Sequence, residues 1–416
     1  MRSILVAFLA TVPKRRETTE TKGQLVTEAT ATPGSQSALR QANERRVVDV
    51  LRRDGTCTQA ELSRSTGLSA ASVSNIVRGL RAAGTVSVRD TSSNGRRARA
   101  VTLLRPPGTV VAVDFTADRV RVAIGDSDGN MLVREEIDYD VASDAERGIR
   151  RAAWLAETTL IRSRIDLGTV SSVVVSVPGP VDPGTGEVGA ISCVPRWAGF
   201  RPARALTERL GVETLAENDA NLAVLAEQYQ GAGAGAEHVI HLVLSEGVGA
   251  GIMMSGRLFR GAGGTAGEIG HIALDPRGQV CRCGNRGCLE TFVGANYLLD
   301  MLPQNSGVAR GPGPVRIPDM VAAALEGDPG SRRIIAEAGT ALGQGAAIMA
   351  NLFNPGRVTV GGELADAGEL LLDPMRRAME LGSLESALER LELVPSALGR
   401  DAALYGALRM AVQHAN

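Results

Sequence analysis

The stretch from Gly267 to Glu290 constrains this 416-residue chain more than any other, because it must fold so that one imidazole and three thiols meet. It reads Gly267-Glu268-Ile269-Gly270-His271, then Cys281-Arg282-Cys283-Gly284-Asn285-Arg286-Gly287-Cys288-Leu289-Glu290. Three of the chain's five cysteines and one of its four histidines fall here. A Cys-x-Cys knuckle, a third thiol after a Gly-containing turn and an upstream imidazole suit one tetrahedral zinc ion held by His271, Cys281, Cys283 and Cys288. The glycines allow a loop tight enough for the sulfurs to converge. Chance clustering of buried, apolar cysteines is the competing explanation. Glu268 and Glu290 flank the cluster off the ligand spacing and suit a ligand that carries hydroxyls.

A chain of this length exceeds one ordinary domain, so two or three are expected. Apolar residues make up 44% and mean hydropathy is +0.01. That is enough for real cores, and no run reaches the roughly 18 apolar residues of a spanning helix, which leaves out a membrane protein. The whole-chain charge of −1 hides an asymmetry: residues 40–105 carry 13 arginines against 5 acids, whereas residues 106–416 carry a net −11. A basic module joined to an acidic body points to nucleic-acid binding by the first part alone. Cys57 and Cys193 are far apart and fit a reducing, cytoplasmic compartment without a disulfide framework. Residues 4–12 resemble a short signal-peptide core, but no small-x-small cleavage site follows and the basic module comes next. Residues 1–39 are therefore expected to be a disordered tail or the product of a misplaced start codon, with 13–38 rich in Thr, Glu, Ser and Pro.

The basic module reads as three helices and a wing. Val47, Val48 and Leu51 lie on one helical stripe over 40–53, which ends at Asp54-Gly55. Thr58-Gln59-Ala60-Glu61 has the capping-box pattern for a short second helix closing at Gly67. Ser69 can cap a third helix from Ala70 to about Ala83, stopped by Gly84. In it Val73, Ile76, Val77 and Leu80 face a core, while Ser72, Ser74, Asn75, Arg78 and Arg81 face out. Val86/Val88 and Val101/Leu103 alternate as two strands around Asn94-Gly95-Arg96-Arg97-Ala98-Arg99. This is a winged helix-turn-helix: small Ala70 and Ala71 admit the third helix to a major groove, where Asn75 and Arg78 reach base edges. Arg96 and Arg97 on the hairpin can enter a minor groove or hold phosphate. A solvated three-helix protein-interaction domain is the alternative.

After a Pro106-Pro107-Gly108 linker, Val110 to Asp114, Val120 to Ile124 and Met131 to Ile137 read as strands, with a hairpin turn at Asp128-Gly129-Asn130. A helix over about 144–164 and a buried strand Val173 to Val177 follow. A similar β-rich start recurs at Val239 to Leu244 and Gly247 to Ile252. The duplication implies two similar lobes with a cleft between them.

Val113-Asp114, Ser176-Val177-Pro178-Gly179-Pro180, Glu217-Asn218-Asp219-Ala220-Asn221, Gly267 to His271 and Cys281 to Glu290 together resemble the ROK family, as do Asn354-Pro355 and Gly361-Gly362. The resemblance runs from about residue 40 to the C-terminus. The family groups repressors, uncharacterised reading frames and sugar kinases on an α/β, actin-like (ribonuclease H-like) two-lobed ATPase superfold. A preceding helix-turn-helix marks its repressor branch. The resemblance implies a first lobe over 106–231, completed by a C-terminal helix near 398–416, and a second over 232–397 with the zinc loop at 271–290. It implies that Asn218, Asp219, Glu268, His271 and Glu290 bind a sugar, that Asp219 is the position of the kinase general base, and that zinc is structural.

Two departures bear on activity. Kinases of the family follow the first strand with Asp-x-Gly-Gly-Thr, and here the run is Asp114-Phe115-Thr116-Ala117-Asp118. Their second phosphate loop reads Gly-Thr-Gly, and here it is Ser245-Glu246-Gly247. Asp118 and Glu246 bring negative charge to where a triphosphate would lie. The expectation is a sugar-responsive regulator, a repressor without kinase activity, acting on operator DNA as a homodimer or dimer of dimers. An active sugar kinase with a DNA-binding appendage, and a regulator answering to a partner protein, are the alternatives.

Overall fold

The computed structural model describes residues 36–83, 85–93, 96–103, 108–190, 194–302, 308 and 313–415. The readings placed on 1–35, Gly84, Asn94-Gly95, Pro106-Pro107 and Cys193 lie outside the described residues. The chain divides into two compact units, Met1–Leu104 and Arg105–Asn416.

In the first unit, helices α1 (Gln36–Asp54), α2 (Gln59–Thr66) and α3 (Ala70–Ala82) pack with a sheet of order β1-β3-β2, built from β1 (Cys57–Thr58), β2 (Val86–Ser93) and β3 (Arg96–Leu103). The Thr58 hydroxyl accepts from the Glu61 backbone N–H at 3.3 Å and Glu61 returns the bond to Thr58 N at 2.7 Å, which completes the capping box. Gly67 closes α2 in the left-handed region, and the Ser69 hydroxyl caps α3 by accepting from Ser72 N. Val47, Val50, Leu51, Leu62, Val73, Ile76, Val77, Val86 and Val101 form the core, with Leu80 partly buried on it. Val50, rather than the half-buried Val48, completes the α1 stripe. The wing strands also run further than the valine alternation indicates. Residues 89–93 are Arg-Asp-Thr-Ser-Ser, polar on both faces, so the period-2 signal vanishes while the backbone pairing continues to Ser93↔Arg96.

The second unit holds two five-stranded sheets of the same design. In one, β4 (Thr109–Phe115), β5 (Arg119–Gly125) and β6 (Met131–Asp138) form an antiparallel meander, and β7 (Val170–Val177) and β8 (Thr214–Asn218) add parallel to β4. In the other, β9 (Val239–Leu244), β10 (Val248–Met254) and β11 (Arg257–Leu258) form the meander, with β12 (Arg357–Gly362) and β13 (Glu392–Pro395) parallel to β9. The orders β6-β5-β4-β7-β8 and β11-β10-β9-β12-β13 match strand for strand. This is the duplicated lobe that the resemblance implies.

Alternation along β4 divides the first lobe's core. Val111, Val113 and Phe115 face α4 (Ala145–Arg162) and α5 (Pro202–Leu210), where Trp197 packs edge-on against Phe115. Val110 and Ala112 face α6 (Asp219–Gln230), and a C-terminal helix, Ala402–Ala415, packs on the same side through Leu404, Ala407 and Leu408. The α6 helix also touches the second sheet: a Cβ at Gly251 would lie 2.1 Å from the Ala220 carbonyl, so only glycine allows this approach. The other face of the second sheet is covered by α7 (Glu290–Val293), α8 (Ala295–Asp300), α9 (Ile317–Glu326), α10 (Pro329–Phe353) and α11 (Glu369–Gly382). A short α12 (Glu385–Leu388) precedes β13, and the Ala402–Ala415 helix is α13.

Parallel register places the chemistry. Asp114 pairs with Ser176, Ser176 with Glu217, and Val177 with Asn218, so Asp114, Glu217 and Asn218 share the carboxyl edge of three strands. Ligands of open α/β sheets bind at this edge.

Candidate functional site

His271, Cys281, Cys283 and Cys288 do converge: one donor atom from each lies within 4.8 Å of all the others. His271 Nδ1 is 3.6 Å from Cys281 Sγ, and Cys283 Sγ is 3.7 Å from Cys288 Sγ. A tetrahedral ion with metal–sulfur bonds of about 2.3 Å sets its ligands about 3.8 Å apart, so this donor set fits four-coordination. Burial, and then the charge of Arg282, holds His271 below its usual pKa, in the neutral form that ligates metals.

The cleft beside the cluster is lined by Pro178, Asn218, Asp219, Glu268, His271 and Arg282, with the backbone of Ser245 and Gly247. Asn218 caps α6: its carboxamide oxygen accepts from Asn221 N at 3.1 Å and its Nδ2 donates to the Gly179 carbonyl at 3.0 Å. Asp219 Oδ1 accepts from Asn218 Nδ2 at 3.0 Å and from Ala220 N at 2.8 Å, and Glu268 lines the same cleft. Burial, then the charge of Asp114, pushes Asp219 up to about 7, and burial pushes Glu268 up to about 7. A larger cavity of about 330 Å³ is lined by Asp275, Gln279, Thr291, Phe292, Met301 and Glu337 among others and shares no residue with this cleft.

Glu290, expected to face the ligand, is buried at the start of α7 and its Oε2 pairs with Arg282 at 2.5 Å. Arg282 escaped the sequence reading. Its signal was its place between Cys281 and Cys283, since the middle residue of a Cys-x-Cys knuckle points away from a shared ion. Glu217 and Arg260, which join at 2.6 Å below Asn218, were also missed.

On the first unit, Asn75 and Arg78 stand exposed on α3, whereas Ser72 and Ser74 are half-buried. Ser72 lies 2.9 Å, hydroxyl to hydroxyl, from the capping Ser69. The backbone of Arg96 and Arg97 belongs to β3, and their side chains lie outside the described residues.

Residues 110–414 match the ROK family, and residues 41–97 match the MarR family. The chain belongs to the ROK family. It is 26% identical to the xylose repressor of Caldicellulosiruptor bescii over 391 residues, covering 91% of this chain and 97% of that protein. A glucokinase of Thermotoga maritima is 32% identical over 311 residues, 73% of this chain and 96% of the kinase. Among solved structures, a ROK transcriptional regulator described as a homologue of Escherichia coli Mlc superposes with a TM-score of 0.76 at 26% identity, covering 91% of this chain and 96% of that one. The likeness to regulators thus extends over a larger share of this ROK chain than the likeness to the kinase.

In this ROK protein the β4–β5 and β9–β10 turns carry the acids Asp118 and Glu246. Asp118 is held by the Thr116 hydroxyl at 3.2 Å and by Arg316 at 3.5 Å. Burial, then the charges of Glu363 and Asp118, raises the pKa of Glu246. Asp114 is buried under Arg121, whose Nη2 and Nε reach one carboxylate oxygen at 2.5 and 2.8 Å.

Proposed function

We propose that this ROK chain is a transcriptional repressor that binds operator DNA through its first unit and is modulated by a monosaccharide or close derivative in the cleft. The observation that carries the reading is a MarR-type winged helix joined to a sugar-kinase-like cleft whose phosphate side is acidic. Asn218 and Asp219 on one lobe, and Glu268 and His271 on the other, can exchange paired hydrogen bonds with vicinal hydroxyls. Glu290 acts with Arg282, whose guanidinium brings donors to a cleft otherwise rich in acceptors while its Nη2 pairs with Glu290.

The four-donor cluster fits a structural zinc, which when bound would cross-link the loop and leave no coordination position open for catalysis. His271 would ligate through Nδ1 and turn Nε2 to the cleft, and the cross-link would hold Arg282 and Glu290 in place.

The fold also hosts kinases, and here the acids argue against one. A full unit-charge repulsion between a phosphate and an acid costs about 4 kcal/mol at ~4 Å and an effective dielectric of ~20. Asp118 is exposed and paired with Arg316 and burial raises the pKa of Glu246, so each contributes less than that, and together they still oppose ATP binding. A base at Asp219 without a positioned phosphoryl donor accelerates nothing.

The deciding experiment titrates operator binding, followed by fluorescence anisotropy, against D-xylose, D-glucose and N-acetyl-D-glucosamine. Sugar-dependent release supports the reading. Sugar-dependent ATP consumption at an ordinary enzymatic rate, with no effect on DNA, overturns it.

A further inference from the structure

The ion pair between Glu217 and Arg260, 2.6 Å, joins the two lobes outside the cleft lining. Glu217 ends β8 one residue before Asn218 and is 4% exposed. Its Oε1 accepts from Asn218 N and from Asn221 Nδ2, each at 2.9 Å, and its Oε2 accepts from Arg260 Nε at 2.6 Å. The same carboxylate therefore fixes the start of α6 on one lobe and grips a residue of the other.

Arg260 follows β11 and opens the segment that ends at Glu268 and His271. Ala266 N donates to the Arg260 carbonyl at 3.1 Å, which closes the segment into a loop, so that Arg260 and Glu268 shift together. The loop also lies directly on the first lobe. Gly264 has φ +76°, and a Cβ there would stand 2.1 Å from the Val181 carbonyl.

We propose that Arg260 is a positioning residue for the cleft: through Glu217 it sets the distance between Asn218–Asp219 and Glu268–His271. This rests on the sugar-cleft reading above, although Arg260 does not line the cleft itself. Three donors meet the buried Glu217 carboxyl group, and of these the Arg260 guanidinium is the charged one. Withdrawing the guanidinium leaves that carboxyl group undercompensated, and water or rotation of Glu217 must replace the bond. Either change loosens the α6 start and frees the 260–268 loop to ride with its own lobe.

The test compares the full chain with Arg260→Ala by backbone hydrogen exchange, with and without D-xylose, D-glucose or N-acetyl-D-glucosamine. Exchange should quicken about tenfold or more over both 218–221 and 264–271, and stay unchanged in α10. The sugar concentration for half-release of operator should rise by a similar factor. Guanidinium chloride, well below unfolding concentrations, should restore both in Arg260→Ala and leave the unmodified chain unaltered. If Arg260→Ala does not fold, Glu217→Gln, which keeps an oxygen for Asn218 and Asn221, should loosen the same two segments without guanidinium rescue. Unchanged exchange in both segments, or loosening spread evenly through α10, overturns the proposal. If no sugar affects the unmodified chain, the sugar reading fails, and the exchange pattern still decides whether Arg260 couples the lobes.

Discussion

The Nε2 of His271 stands 3.8 Å from Oε2 of Glu268. The other nitrogen of that ring faces Cys281 Sγ, so one imidazole belongs to both the four-donor cluster and the cleft. Substituting a ligand on the far side of the cluster therefore disturbs a group that faces the cleft.

From this relationship follows the expected behaviour of Cys283→Ser. The purified chain should carry about one zinc per subunit by elemental analysis. Cys283→Ser should lose the metal, destabilise the second lobe by several kcal/mol and abolish the sugar response, because the loop before Glu290 loses its cross-link. Chelation of the unmodified protein should lower its thermal midpoint in the same direction. Zinc-free protein with an unaltered midpoint would remove the metal from the account.

Arg78→Ala should relax base preference at one operator position, at a cost of about 1–3 kcal/mol in the preferred sequence. Arg96→Ala or Arg97→Ala should instead weaken binding to all sequences and flatten its salt dependence. Footprinting should find two half-sites about one helical turn apart, as expected for a homodimer or dimer of dimers. A single half-site contradicts the dimeric reading.

Asp219 has its pKa pushed from 3.8 up to about 7 by burial, then by Asp114, and Glu268 also faces it. Between those values the folded chain keeps a proton that the unfolded chain has released. Its contribution to stability is thus complete below about pH 4 and is lost as pH rises through about 7. Asp219→Asn cannot titrate, so its thermal midpoint relative to the unmodified chain should rise from about pH 5 to about pH 8. A constant difference across that range would mean that the carboxyl titrates normally. The same variant should also alter the sugar response.

No sugar kinase activity is expected. Calorimetry with magnesium and ATP should find no tight binding, and sugar-dependent turnover should fall far below the common range of about 1–10³ s⁻¹. Replacing Thr116 and Ala117 by Gly and Asp118 and Glu246 by Thr should improve ATP binding before any turnover is regained. Tight binding of ATP to the unmodified chain would refute the charge argument.

Much of the first unit was legible because its signals are local. Thr58 and Glu61 are three residues apart and cap each other, and Ser69 needs only its own helix start. The two-residue β1 carries no period, and its existence depends on Val101 and Ala100 arriving from 44 and 42 residues downstream. The metal donors were legible for a related reason: three lie within eight residues, and sulfur chemistry restricts what such a cluster can do.

The cleft was only half legible. Residue type and family resemblance pointed to Asn218, Asp219, Glu268 and Glu290, but Glu290 meets Arg282 because α7 turns its first side chain back under the knuckle. Glu217 and Arg260 lie 43 residues apart and on different lobes, so no local pattern pairs them. Sequence by itself determined the caps, the meander strands of the first lobe and the gathering of four metal-capable donors, since these arise from neighbours along the chain. Which charges meet was decided by the parallel register of β4, β7 and β8 and by the approach of α6 to Gly251, because electrostatic partners are chosen by distance in space.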